Sequence, residues 1–139
     1  MASWYICKIK IERIQEDGTQ KKITEPYLVN AVSYTEVEAR MAEFLEQEHA
    51  EYTIAGISKA NISDIFPNEQ GDKWYKAKVS FVSLDEAAGK EKKINQFMLI
   101  QSIDFEHATK ELLDQFKNFT VPYDIHSLVE TPIFDVIEY

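Results

Sequence analysis

The sequence contains little cysteine, glycine and proline. A single cysteine, Cys7, stands among 139 residues, so the chain can form neither an intrachain disulfide nor a cysteine-based zinc site. The four glycines are isolated from one another, which excludes a Gly-rich phosphate-binding loop. With only four prolines as well, long flexible linkers are not expected. The cysteine content is typical of a reducing compartment, and we predict a cytoplasmic protein.

Long hydrophobic runs are also missing. No apolar stretch approaches the length of a membrane span. The first residues, MASWYICKIKI, have neither the charged start nor the long apolar core of a signal peptide. We therefore expect no membrane association.

Positive charge is scarce. Fifteen lysines and arginines oppose 24 acidic residues, giving a net charge of −9. Such a balance disfavours non-specific attraction to nucleic acid or anionic lipid. The chain is nonetheless 45% hydrophobic and 28% charged, which is typical of a folded globular protein with a proper core.

Residues that could carry chemistry are few and scattered. The histidines, His49, His107 and His126, have none of the spacings that place two metal ligands on one face. Cys7 falls on an apolar strand face, where a free cysteine behaves as a small hydrophobic residue. The sequence therefore predicts no metal, no cofactor and no enzyme.

One pair of carboxylates occupies equivalent places in the two halves of the chain. Asp64 and Asp135 each lie in a short terminal strand. A pair of acids could perform general acid–base chemistry. We favour the alternative that both face solvent or cap a turn, so no catalytic residue is predicted.

A phrase near the start of the chain returns in its second half. "SWYICKIKIE" (3–12) matches "KWYKAKVSFV" (73–82) at an offset of 70. Beyond the first hairpin, "LVNAVSY" (28–34) matches "LIQSIDF" (99–105) at an offset of 71. The apolar matching slips by about two residues through the helices and then recovers. Matching residues in the same order over this length predict a tandem duplication.

The repeats span 2–66 and 73–139, joined by the polar junction 67–72, within one compact globular domain. Each reads as strand, strand, helix, strand and a short closing strand. Alternating apolar residues predict the first strand, and the Asp-Gly pair in 16–19 predicts its hairpin turn.

Helix starts are marked by capping residues. Ser33 with Glu36 forms a capping box, and Asp104 takes the cap position of the second helix. The predicted fold is α+β, a duplicated ββαβ(β) unit with one helix per repeat and pseudo-two-fold symmetry. The sheets are either two antiparallel sheets or one joined sheet.

Tryptophan and lysine share the same face of the first strand in each repeat. The residues are Trp4, Lys8, Lys10, Trp74, Lys76 and Lys78. Aromatic rings beside ammonium groups are typical of proteins that bind single-stranded nucleic acid. Alternatively, each tryptophan plugs the contact between repeats while the lysine stems cover it. The net charge favours the second interpretation.

The first helix is acidic on its outer face, where Glu38, Glu43 and Glu46 lie. This face could meet a basic protein surface, as in a phage-type inhibitor that mimics DNA. Most such runs are solvated helix faces.

Several longer motifs carry a family resemblance. "TEPYLVNAVSYTEVEAR" (24–40), the flanking phrases WYICKIK and KWYKAKVSF, and the closing "ETPIFDVIEY" (130–139) resemble an uncharacterised family of short acidic proteins. That family is classed as a domain of unknown function and is associated with gut bacteria and their phages. The resemblance covers nearly the whole chain and implies no catalytic residue.

The function predicted from these observations is binding. We expect a non-enzymatic accessory protein that acts through protein–protein contacts, with a protein partner or a second copy joined through sheet edges. The alternatives are single-stranded nucleic-acid binding through the Trp/Lys face and an acidic inhibitor that mimics DNA.

Overall fold

The computed structural model of the protein describes residues 2–48, 51–85, 87 and 89–138. In chain order the elements are β1 (Ser3–Ile14), β2 (Gln20–Ala31), α1 (Tyr34–Leu45), a short 3-10 helix (Glu46–Glu48), β3 (Tyr52–Ala60), β4 (Asp64–Phe66), β5 (Lys73–Asp85), β6 (Lys90–Ser102), α2 (Phe105–Phe116), β7 (Tyr123–Thr131) and β8 (Asp135–Ile137). The α+β class predicted from the sequence is confirmed.

The chain forms two compact units. Unit 1 comprises 1–61 together with 132–139, and unit 2 comprises 62–131. Each unit has one four-stranded sheet, with strand order β3-β1-β2-β8 in unit 1 and β4-β6-β5-β7 in unit 2. The short strand β4, which closes the first half of the sequence, therefore lies in the sheet of unit 2. The short strand β8, which closes the second half, lies in the sheet of unit 1.

The sheets are mixed, which corrects the prediction of antiparallel sheets. β8 runs parallel to β2, with Tyr27 opposite Asp135, and β4 runs parallel to β6, with Met98 opposite Asp64. The other pairings are antiparallel. Three-residue strands carry no periodic pattern, so the sequence gives no sign of their direction.

The two halves share the order of their strands and α-helices and several element lengths, although β5 and β6 are each one residue longer than β1 and β2. Both helices have twelve residues, and the second begins 71 positions after the first. The slip of two residues expected through the helices is wrong. The buried helical residues coincide at that offset: Val37, Met41 and Leu45 in α1, and Ala108, Leu112 and Phe116 in α2.

Most local signals in the sequence act as predicted, but the Glu36 carboxylate of the expected capping box accepts the N–H of Val32 and not that of Ser33. In the first hairpin turn, Gly18 has φ +85° and the Asp17 carboxylate accepts hydrogen bonds from the N–H and hydroxyl of Thr19. The Ser33 hydroxyl accepts the N–H of Glu36 at the start of α1. The Asp104 carboxylate accepts the N–H of His107 at the start of α2.

Each helix packs its apolar stripe on one face of its own sheet. In unit 1 the alternating residues of β1 that lie in the core are Tyr5, Cys7, Ile9 and Ile11, which confirms the apolar strand face predicted for Cys7. In unit 2 the corresponding residues of β5 include Tyr75, Ala77 and Val79. The opposite face of each sheet consequently carries the Trp/Lys residues. Among the described residues, no helix is long and apolar enough to cross a membrane.

Candidate functional site

The Trp/Lys residues share sheet faces as predicted but differ in exposure. In unit 1, Lys8 and Lys10 are exposed and Trp4 is half-buried. In unit 2, Trp74 is only 4% exposed. A ring so deeply covered cannot stack on a base without rearrangement of its surroundings.

The lysines of unit 2 are half-buried. The ammonium group of Lys76 lies 4.8 Å from the ring centroid of Phe97, in a cation–π contact. Lys78 is half-buried beside it on the same strand face. The Lys76 cation is therefore already engaged within its own sheet, and of the six predicted residues the two lysines of unit 1 are the most accessible.

A polar cavity of about 390 Å³ lies at the end of the unit 1 sheet. Two cations, Lys10 and Lys22, and two carboxylates, Glu12 and Glu51, line it together with Tyr52 and Thr53. Because the charges balance, this cavity offers a phosphate group little net attraction.

The histidines occupy separate places. His49 lies outside the described residues. The imidazole of His107 lies 2.8 Å from the Asp104 carboxylate. His126 is the extra residue where the pairing of β7 with β5 shifts register, and its Nε2 is hydrogen-bonded to the hydroxyl of Ser80.

A serine–histidine pair raises the question of a nucleophile. Ser80 is only 3% exposed, so its hydroxyl is inaccessible to a substrate in this conformation. Cys7 is fully buried, and burial, with a smaller contribution from the charge of Glu38, raises the pKa of its thiol to about 11. Neither side chain is placed for nucleophilic attack.

A groove lined mainly by apolar side chains lies in unit 2. We call it the unit 2 groove; its volume is about 380 Å³. Its apolar lining consists of Phe66, Phe81, Met98, Phe116 and Phe119, and its polar groups are Asp64, Gln96 and Gln115. A concave apolar surface with a few polar groups is the usual form of a ligand-binding site.

The helix end builds the aromatic wall of the unit 2 groove. Phe116 is the last residue of α2, and the N–H of Phe119 donates to its carbonyl at 3.0 Å, which turns the chain back towards the sheet. The rings of Phe116 and Phe119 then meet edge to face at 5.0 Å, and both contact Phe81, at 5.7 and 5.6 Å. Phe119 remains 49% exposed, so part of the wall is open to solvent.

β4 forms the other side of the groove. Its three residues pair with β6 from Met98 to Ile100, which places Asp64 opposite Met98. The Met98 side chain is 3% exposed, whereas Asp64 is exposed at the rim. Within the described part of the chain, the Asp64 carboxylate makes no hydrogen bond or ion pair. It is therefore free to receive a cation from outside.

The corresponding positions in unit 1 hold a charged network. Gln96 corresponds to Glu25, Met98 to Tyr27 and Phe119 to Glu48, each 71 positions earlier. The Arg13 guanidinium donates to both oxygens of Glu25, at 2.8 and 3.0 Å, and to Glu48 at 2.6 Å. The Tyr27 hydroxyl donates to Glu25 at 3.0 Å.

An aromatic ring completes this unit 1 cluster. Phe134 lies 5.4 Å from the ring of Tyr27 and 5.9 Å from the Arg13 guanidinium, measured to the ring centroids. These side chains contact one another where unit 2 has its groove. In unit 2, Ser83 replaces Arg13 and Ser63 replaces Phe134, at offsets of 70 and 71.

Sequence reasoning missed the unit 2 groove. It gave no binding role to Phe116 or Phe119, which it assigned to an apolar helical stripe, and expected Asp64 to face solvent or cap a turn. The available signal was the exchange of Glu25, Tyr27 and Glu48 for Gln96, Met98 and Phe119 between otherwise matching halves. Without the pairing of β4 with β6, that exchange could not be recognised as a concave surface.

The chain was compared with curated proteins and with protein-family models. No curated protein gives a significant match. A family model described as a domain of unknown function matches residues 3–139, which include all of unit 1 except its first two residues, all of unit 2 and every residue of the groove. The chain belongs to this family, Domain of unknown function (DUF4494).

Proposed function

We propose that this protein is a non-enzymatic binding protein whose unit 2 groove receives an apolar side chain of a protein partner. The observation that carries the proposal is the groove itself, about 380 Å³ in volume and lined by five apolar side chains, one of them 49% exposed. Buried apolar anchors supply much of the affinity at protein interfaces.

The polar groups of the groove support this function. Gln96 and Gln115 each offer amide donors and an acceptor, and Asp64 offers a carboxylate. They line the groove together with the aromatic residues, and polar groups likewise accompany the apolar centre of many protein interfaces. A partner segment could therefore bury one side chain and satisfy its backbone at the rim.

A peptide-display selection followed by calorimetry tests the proposal. Peptides enriched on the wild-type protein should bind Phe119→Ser at least about tenfold more weakly, because the substitution removes an exposed ring from the wall. Phe105→Ser is the matched control, since Phe105, at the start of α2, is 55% exposed but does not line the groove. Equal binding by both variants would contradict the proposal.

A second candidate function is single-stranded nucleic-acid binding through unit 1. The supporting observation is that Lys8 and Lys10 are exposed on the same strand face as the half-buried Trp4. A Trp74→Phe protein would isolate the emission of Trp4. Salt-sensitive quenching by oligothymidylate, lost in the Lys8→Glu/Lys10→Glu variant, would support this function. Unchanged emission at low salt would reject it.

We also infer that the two halves arose by tandem duplication. Their element order is the same, and α1, β3 and β8 lie 71 positions from α2, β7 and β4 respectively. In this view the groove of unit 2 and the charged cluster of unit 1 are diverged forms of one ancestral surface.

A further inference from the structure

The backbone leading into the closing strand is the same in both units. The N–H of Phe134 donates to the carbonyl of Pro26 at 2.7 Å, and the N–H of Ser63 donates to the carbonyl of Phe97 at 2.8 Å. Asp135 then pairs with Tyr27, and Asp64 pairs with Met98. The backbone of Ser63 therefore has the same position relative to β6 that the backbone of Phe134 has relative to β2.

Only the unit 1 residue carries a ring. Phe134 lies against Tyr27, and its ring is also covered by the Arg13 guanidinium. Ser63 carries instead a hydroxyl that donates to the carbonyl of Phe97 at 2.9 Å. Met98, which corresponds to Tyr27, lines the unit 2 groove. Unit 1 thus shows which kind of side chain this surface accepts.

The chemistry of the groove suits an aromatic ring. The thioether of Met98 and the rings of Phe66 and Phe119 line it. Sulfur and ring edges both make favourable contacts with an incoming aromatic side chain. The cluster around Phe81 already shows the edge-to-face and tilted geometries that such a contact would extend.

The charges of the groove define what lies next to that ring. In unit 1 the Arg13 guanidinium balances the charge of Glu25. The corresponding residue of unit 2, Gln96, is neutral, so the groove needs no cation beside it. Asp64 is exposed at the rim and makes no ion pair with the described residues. The chain also carries a net charge of −9, which attracts basic segments.

We infer that the unit 2 groove binds an aromatic side chain, Phe or Tyr, from a protein segment with a basic residue beside it. This inference rests on the proposed function and specifies its partner. The aromatic ring lies against Met98, in the place that Phe134 takes against Tyr27. The neighbouring cation pairs with Asp64.

The test uses the full chain with ¹³C-methyl-labelled methionine and short peptide probes. Met98 reports on the groove, and Met41, in the core of unit 1, is the internal reference. The probes are Ac-Lys-Phe-Lys-NH₂, Ac-Lys-Leu-Lys-NH₂ and Ac-Glu-Phe-Glu-NH₂. We expect saturable shifts of the Met98 methyl with Lys-Phe-Lys, and about fivefold weaker binding of Lys-Leu-Lys.

The blocking variant is Ser63→Phe, which restores the unit 1 residue. Its ring should occupy the groove and abolish the response to Lys-Phe-Lys. Ser63→Ala, which removes the hydrogen bond to Phe97 without adding a ring, should respond like the wild type. Asp64→Asn should reduce the preference for Lys-Phe-Lys over Glu-Phe-Glu. An unchanged Met41 signal and thermal transition show that each variant is folded.

Each result separates the inference from the function on which it rests. Equal affinity for the leucine and phenylalanine probes overturns the recognition of aromatic rings. It still supports the proposed function, in which the groove receives an apolar side chain. Equal affinity for the basic and acidic probes overturns the role of Asp64. If no probe shifts the Met98 signal, or if Ser63→Phe binds the probes like the wild type, both the aromatic inference and the proposed binding function of the groove are rejected.

Discussion

The Arg13 guanidinium holds the buried carboxylate of Glu25 through two hydrogen bonds of 2.8 and 3.0 Å. Glu25 is 3% exposed, and Arg13 also bridges to Glu48 beyond the end of α1. Removing the guanidinium would leave a buried negative charge without its counterion. Such a change is costly because the carboxylate has already lost its water.

Arg13→Ala should therefore lower the free energy of unfolding by about 3 kcal/mol. Chemical denaturation followed by far-UV circular dichroism measures the effect. Lys73→Ala is the control, since it removes an exposed ion pair with Glu130 at 3.5 Å and should leave the transition midpoint unchanged within error. If the two variants unfold alike, the Arg13 network does not stabilise unit 1.

Two glycines provide a matched pair for testing close packing. A Cβ at Gly71 would lie 2.6 Å from backbone atoms of Ser102, whereas a Cβ at Gly56 would have no atom within 4 Å. Gly71→Ala should cost about 2 kcal/mol, because backbone must move to relieve the overlap. Gly56→Ala should be close to neutral. Comparing their denaturation midpoints checks this prediction, and equal losses would refute the tight approach of Gly71 to β6.

The Cys7 thiol makes stability depend on alkaline pH. Its pKa is raised from 9.0 in the ordinary thiol to about 11 in the folded protein, mainly by burial. The unfolded chain therefore loses this proton first, so the stability contribution is complete below pH 9 and is lost between pH 9 and 11. Burial likewise raises the pKa of the Tyr27 hydroxyl, which acts in the same direction.

Comparing wild type with Cys7→Ala over pH 8–11 isolates the contribution of the thiol. We expect a smaller loss of stability with pH in the variant, whatever its stability at pH 8. The thiol should also react with iodoacetamide at pH 8 only after denaturant is added. Rapid alkylation of the folded protein would show that Cys7 is accessible.

Asp104 gives the opposite pH dependence. The N–H of His107 donates to its carboxylate at 2.8 Å, and this bond, together with the imidazole, lowers the pKa of Asp104 below 3.8. The contribution of this charged cap to the free energy of unfolding is present above pH 3.8. It is lost as the pH falls through the lower pKa that Asp104 has in the folded protein. Asp104→Asn retains a capping oxygen without the charge, so its stability should depend less on pH between 2 and 5. Identical pH profiles for both proteins would refute the charged cap.

Much of the local structure followed from the sequence because its causes are local. The Asp-Gly pair required a tight turn at Gly18, and the hydroxyl of Ser33 and carboxylate of Asp104 could satisfy free N–H groups at helix starts. Alternation in β1 defined its core face because successive side chains point to opposite sides. The shared face of Trp4, Lys8 and Lys10 followed from the same geometry.

The candidate site depended on contacts that no local pattern encodes. Asp64 and Phe66 line the groove only because β4 leaves its own half of the sequence and pairs in parallel with β6. A three-residue strand has no period to predict its partner, and its position depends on the side chains it meets there. The same holds for Phe134 against Tyr27. By itself the sequence determined the elements, their order and their apolar faces. The tertiary structure alone decided which sheet receives each closing strand, because that choice depends on long-range packing, and it thereby decided that one unit holds a charged cluster and the other an open aromatic groove.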